Sequence, residues 1–195
     1  MAHPRPDGQT LNSTNVSFMS SLWAIKAGTL EEKVQILWNG ILNTYFPPTE
    51  PYKIAIKAVV LTDNTALDAV IFEIHALQEP RSSQHLQEPR SSHQLQERQI
   101  FMVECKRISE DTLEGWLGAQ AQLLGYLESN SNVATCSGMY GACTIGSKVM
   151  FFEWIKDSHR LTAISPMLDM KEPIDRPVVE DMLIRVKQYG WIRTN

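Results

Sequence analysis

Gln99-Ile100-Phe101-Met102-Val103-Glu104-Cys105-Lys106-Arg107 is the stretch on which the fold turns. Its unbroken apolar run, rich in Ile, Phe and Val, predicts a strand inside a sheet. Side chains alternate along a strand, so Glu104 and Lys106 leave one face while Cys105 points to the other. Ionic groups are seldom placed on an internal strand without a partner or a metal. The preceding apolar run carries Asp68 between Leu67 and Ala69, and if the two strands are neighbours Asp68 and Glu104 converge.

Working outward from that stretch, Tyr52 to Leu61 and Ala66 to Ala76 are dominated by Ile, Val and Phe. The turn-forming Thr62-Asp63-Asn64-Thr65 separates them, which predicts a hairpin. Leu77-Gln78-Glu79-Pro80-Arg81-Ser82-Ser83 then returns as Leu86-Gln87-Glu88-Pro89-Arg90-Ser91-Ser92, and a truncated third copy begins at Leu95. Each copy offers one Leu amid Pro, Ser, Gln and charge, too little for a stacked core, so residues 77–98 are expected to form a mobile loop between the second and third strands. Upstream, Thr29 and Glu32 make a capping box for a helix reaching Tyr45, with apolar residues at helical spacing and Pro47 and Pro48 after it. Residues 1–15 are polar and aperiodic, which predicts a frayed tail.

Downstream, Asp111 to Leu127 reads as a helix with Asp111 as N-cap and Glu114 at the third helical position. Met139 to Ile145 and Val149 to Trp154 predict a second hairpin around Gly146-Ser147. Asp175 and Pro177 open a last helix over 175–192, which Gly190 stops near Tyr189. The order is helix, three strands, helix, two strands, helix. It implies one mixed α+β (α/β) domain over 16–195, with a central mixed sheet flanked by helices.

Composition narrows the function. In 195 residues, 43% hydrophobic, there is enough apolar surface for a core. Eighteen Lys+Arg against 22 Asp+Glu leave a net charge of −4, so no overall basic field holds nucleic acid and a polyanion must be gripped locally. The longest apolar runs are too short to cross a bilayer, so no membrane partner is expected. Phe18 to Ile25 is interrupted by Ser20 and Ser21 and followed by Lys26, and reads as structure, not as a secretory leader. Cys105, Cys136 and Cys143 form neither a CxxC pair nor an even set, which points to a reducing compartment and an intracellular (cytoplasmic or nuclear) protein.

Hard cations favour oxygen ligands, and Mg²⁺ takes one or two carboxylates together with waters and a substrate phosphate. Asp68 and Glu104 would supply the carboxylates and the Cys105 backbone carbonyl would lie near the same point. Lys106 could orient the attacking water or stabilise the charge developing on phosphoryl oxygens.

An acid on one strand, then acid-x-Lys (Glu104-Cys105-Lys106) on the next, then a helix, resembles the PD-(D/E)XK nuclease superfamily, although Leu67 stands where the motif has proline. Gln122 and Tyr126 on that helix form QxxxY, similar to the RecB-type branch, and their i, i+4 spacing puts them on one face. Gly115, Gly118 and Gly125 share that side and leave it nearly bare, which a closely approaching strand or substrate would explain. The resemblance implies a restriction-endonuclease-like core and metal-dependent phosphodiester hydrolysis with Mg or Mn. Asp68, Glu104 and Lys106 would be the catalytic group, with Asp68 and Glu104 as the metal ligands beside the Cys105 backbone carbonyl and Lys106 assisting the nucleophile or the transition state. Gln122 and Tyr126 would be the substrate-positioning pair, and nucleic acid the partner. A homodimer is common for this fold.

Blander readings stand beside these. Asp63 rivals Asp68 as the acid, Glu104 and Lys106 with Arg107 could form a solvated strand edge, and Gln122 and Tyr126 could be ordinary helix surface and core. Glu31 and Glu32 read as first-turn charges complementing the helix dipole. The tryptophans read as core anchors. Lys148 and Lys156 are the further cations that could serve the site. Two other functions fit the same residues: a protein-binding or regulatory module, and a small-molecule enzyme using Asp68, Glu104 and Lys106 as acid–base groups.

Overall fold

In the computed structural model, which describes residues 11–59, 66–76, 95–129 and 136–190, the deciding strand is β3, Leu95–Lys106, in the middle of a seven-stranded mixed sheet. Two helices precede the sheet, α1 (Val16–Trp23) and α2 (Glu31–Tyr45). Strands β1 (Tyr52–Val59) and β2 (Ala66–Ala76) follow and pair antiparallel, and β2 pairs antiparallel with β3. Helix α3 (Leu113–Glu128) crosses back so that β4 (Gly138–Ile145) lies parallel to β3. Then come β5 (Lys148–Ile155) and the short β6 (Arg160–Ala163) and β7 (Leu168–Asp169), which pair with opposite ends of β5. Helix α4 (Arg176–Tyr189) closes the chain.

Alternation along the strands sorts the core into two layers. Ala69, Ile71, Phe101, Val103, Cys105, Ala142, Val149 and Phe151 face α1, α2 and α4, whereas Val70, Met102, Cys143, Ile145, Phe152 and Trp154 face α3. Both sides of β3 are covered, which is why its sequence reads as an apolar run with little polar alternation. Gly146, at φ +61°, makes the tight turn between β4 and β5 expected at Gly146-Ser147.

Several expectations are corrected. Of the expected 1–15 tail, residues 1–10 lie outside the described residues. Leu11 is buried in the core and its backbone N–H donates to Glu180 on α4, while the Asn15 side chain caps α1 by accepting from the Phe18 N–H. Thr29 and Glu32 form no capping box. Leu30 occupies the N-cap without a side-chain bond, because the Thr29 hydroxyl turns back to the Lys26 carbonyl. Thr112, not Asp111, caps α3 by accepting from the Gly115 N–H, and Asp111 is drawn off to the Trp116 indole and the Lys148 ammonium. Helix α4 starts at Arg176 and ends at Tyr189, inside the expected 175–192, with Asp175 at the N-cap position as expected, but the Asp175 carboxylate accepts from the Asp169 N–H and makes no capping bond to the helix.

The expected loop over 77–98 is shorter at its end. Leu95 to Arg98 already belong to β3 because they pair with Ile74, Glu73 and their neighbours on β2, so the truncated third copy of the repeat is strand. The full copies and the Thr62–Thr65 turn, with Asp63, lie outside the described residues. A register shift between Ile71 and Phe72 lets Ile71 face Phe101 and Phe72 face Gln99, a bulge that turns Ile100 into the core. Among the described residues no helix is long and apolar enough to cross a membrane.

Candidate active site

The site forms where the sheet forks. Strands β2 and β3 stay paired as far as Ala69 opposite Val103 and then part. Beyond that point β2 remains with β1, through Leu67 opposite Ala58 and Ala66 opposite Val59, and β3 remains with β4, through Glu104 opposite Cys143 and Lys106 opposite Ile145. A fork leaves backbone donors and acceptors of β3 without a strand partner, and buried groups of that kind need another. The Asp68 side chain takes the place of the ladder: its Oδ2 accepts from the Cys105 N–H at 2.7 Å. Its Oδ1 accepts at 2.7 Å from Nε2 of Gln35, which reaches in from α2 and also donates to Glu31 at 2.9 Å. The Lys106 carbonyl accepts from the Gly146 N–H on the β4 side. Carbonyls alternate along a strand, so the Cys105 carbonyl faces the fork.

Glu104 and Lys106 share a face as their spacing requires and form an ion pair of 2.7 Å, with Glu104 only 3% exposed and Lys106 17%. They are not a solvated edge. Burial pushes the Glu104 carboxyl up to about 7; the Lys106 hydrogen bond opposes that rise, and the nearby Asp68 and Glu31 carboxylates add to it. Burial alone would lower the Lys106 ammonium, but the Glu104 hydrogen bond and charge outweigh it and its pKa is raised. The Cys105 thiol, buried against the opposite core, is pushed well up by burial and by Asp68, Glu104 and Glu31. It is a packed thiol and not a nucleophile at neutral pH. Three carboxylates therefore gather around one lysine.

The structure brings together Asp68, Glu104, the Cys105 backbone and Lys106, all inferred from sequence, and adds Glu31 and Gln35. Glu31 does sit in the first turn of α2, as its dipole role requires, yet it also faces the fork. Gln35, buried at 7% exposure, lies one turn further along the same helix face, and that i, i+4 step from Glu31 is the one sequence signal that could have singled it out.

Gln122 is exposed on α3 and shares no hydrogen bond with this group, while Tyr126 is half-buried against the apolar layer beneath α3. The bare side of that helix is not covered by a strand: a side chain added at Gly118 or Gly125 would meet only open space. Gly115 is glycine for a local reason, because an added Cβ would come within 1.9 Å of the Glu110 carbonyl oxygen. Lys148 lies at the forked end of the sheet, paired with Ile145 beside Lys106, but its ammonium is engaged with Asp111 at 2.6 Å. Lys156 follows Ile155 at the far end of β5, about 25 Å of strand away, and does not serve the site. Trp38, Trp116 and Trp154 are core residues as expected, but Trp23 is 54% exposed with the Lys171 ammonium over its ring.

Surface hollows of about 350 Å³ beside the start of α4 and about 260 Å³ beside Tyr52 and Lys53 do not include the forked group. Among the described residues no three His, Cys, Asp or Glu side chains form a ready-made metal cage. The groups at the fork that could hold a hard divalent cation are the Asp68 and Glu104 carboxylates, now engaged with Gln35, the Cys105 N–H and Lys106, and the Cys105 backbone carbonyl. No family model, curated protein or solved structure matches this chain.

Proposed function

We propose that the chain is a metal-dependent phosphodiester hydrolase of the PD-(D/E)XK type, acting on nucleic acid. The observation that carries this reading is the buried Glu104–Lys106 pair set across a sheet fork from Asp68. The order of elements from α2 to β4, a helix, three antiparallel strands, a crossover helix and a parallel strand, supports a restriction-endonuclease-like core. A buried ion pair is a poor source of stability, because desolvation offsets its attraction, so its presence mid-sheet favours a chemical role.

A Mg or Mn ion held at the fork would supply Lewis acidity to the scissile phosphate. Asp68 and Glu104 would hold that ion, together with the Cys105 backbone carbonyl. Lys106 orients the attacking water and neutralises charge that develops on the phosphoryl oxygens. Gln122 and Tyr126 meet substrate on the open flank of α3, outside the fork.

Millimolar Mn²⁺ should raise the melting temperature of the wild type, by an amount that grows with the logarithm of metal concentration, and leave Glu104→Ala unmoved. With Mn²⁺ present, Lys106→Ala should cut cleavage of DNA or RNA by about 10²- to 10³-fold. Cleavage that survives this substitution, or a melting shift equal in both proteins, defeats the reading.

One observation favours a second reading. A carboxyl pushed up to about 7 is poised for proton transfer at neutral pH without a metal, as in a small-molecule acid–base enzyme. An ordered organic ligand beside Glu104, with no cation, would decide for it.

A further inference from the structure

We infer that Gln35 is a positioning residue of the fork: its amide, clamped between Glu31 and Asp68, turns the Asp68 carboxylate so that its other oxygen receives the Cys105 N–H. This rests on the proposed function only for its consequence in metal binding; the clamp itself is geometric.

A single side-chain amide carries two N–H donors, and Gln35 Nε2 uses them on two carboxylates, Glu31 Oε1 at 2.9 Å and Asp68 Oδ1 at 2.7 Å. Glu31 and Gln35 are one turn apart on α2, whereas Asp68 is 33 positions away, so the bond ties the helix to the end of β2. There β2 has parted from β3 and is paired with β1 alone, so the bond holds the side of β2 that the β3 ladder has left open. An aspartate has two side-chain torsions. One hydrogen bond at each oxygen fixes both, and the Cys105 N–H at 2.7 Å supplies the second.

The donor must also be neutral. A lysine at position 35 would bring a cation into the fork to compete with any metal, and a glutamate would add a further acid beside Glu31 and Asp68. The amide holds the carboxylate with hydrogen bonds alone, which favours its ionised form and leaves the net negative charge of the fork intact. In metal sites, partners that orient a ligating side chain in this way matter for affinity nearly as much as the ligands.

The test compares wild type with Gln35→Met, which keeps the length of the side chain but not its donors, and with Gln35→Glu, which keeps its shape but only accepts. Without metal, the Cys105 backbone amide is followed by NMR. Both variants should move its proton upfield and speed its exchange with solvent, since Asp68 then loses the Gln35 bond that orients it. Two variants of opposite polarity guard against a failure of one to fold. With Mn²⁺ followed by its own paramagnetic resonance signal, Gln35→Met should bind about tenfold or more weakly.

A Cys105 amide unchanged in both variants overturns the positioning role. If the amide moves but neither wild type nor variant binds Mn²⁺, positioning stands and the metal reading falls. If wild type binds Mn²⁺ and Gln35→Met binds it equally well, the orientation of Asp68 has no bearing on the metal and the inference fails while the metal reading survives.

Discussion

Two lysine–glutamate pairs sit on the same sheet, and they differ in what surrounds them. Lys53 on β1 reaches over the Phe72 ring to Glu97 on β3, 2.5 Å apart, with side chains 48% and 41% exposed. Lys106 and Glu104 on β3 are 2.7 Å apart, with side chains 17% and 3% exposed. By distance they are nearly equivalent. By physics they are opposites: the first keeps most of its hydration and gains little, while the second has given up hydration that its partner only partly replaces. The exposed pair is a surface feature of an edge that water already satisfies. The buried pair is a poor source of stability for the hydration it gives up, and a protein retains such a feature where it serves something other than stability.

The sharpest way to break this comparison is pH. A carboxyl whose pKa rises from 4.5 in the unfolded chain to about 7 in the fold keeps its proton in the native state while the unfolded state releases it. Its contribution to stability is full below about pH 4.5 and is lost as pH rises through about 7. Glu104→Gln, neutral at every pH, should therefore match wild type near pH 4.5 and exceed it at pH 8, by up to about 3 kcal/mol with metal removed by a chelator. Urea denaturation of both proteins across that range measures the difference. A Glu104→Gln advantage that is the same at pH 4.5 and pH 8 would mean that the buried pair is no more strained than the exposed one.

A second place where the chain forgoes stability is the open flank of α3. Gly118 is inside the helix with nothing near it, so Gly118→Ala should stabilise by about 1 kcal/mol. Gly115→Ala should destabilise instead, because the Glu110 carbonyl occupies the space of the new methyl. Thermal melting distinguishes the two. If both stabilise, the flank near Gln122 is not set apart from the rest of the helix, and its bareness carries no functional meaning.

How much of this was legible in the sequence follows from range. Glu104 and Lys106 on one face and Cys105 on the other are consequences of a two-residue period, and β2 begins and ends at Ala66 and Ala76 as composition predicts. Cap identities were less legible because Asp111 and Thr112 are adjacent and both suit an N-cap; only the tertiary positions of Trp116 and Lys148 draw Asp111 away. Helix α1 is eight residues with two central serines, too short for a periodic signal to stand out. Leu11 looked like part of a tail because its partner Glu180 is 169 positions away. The fork itself is invisible locally. It depends on which neighbour each strand keeps past Val103, and the Gln35 clamp depends on the fork.

The smallest expected effect tests the exposed half of the comparison. A double-mutant cycle on Lys53 and Glu97 isolates their coupling from the packing of the Lys53 stem on Phe72, which each single substitution would also disturb. The coupling should be about 0.2–1 kcal/mol at low ionic strength and should fade as salt rises, since near 1 M the screening length is only about 3 Å. The same cycle on Glu104 and Lys106 should be nearly indifferent to salt, because ions cannot reach a pair with one partner 3% exposed. If the two couplings responded to salt alike, solvent would reach the fork freely, and the raised Glu104 carboxyl would lose the burial that raises it.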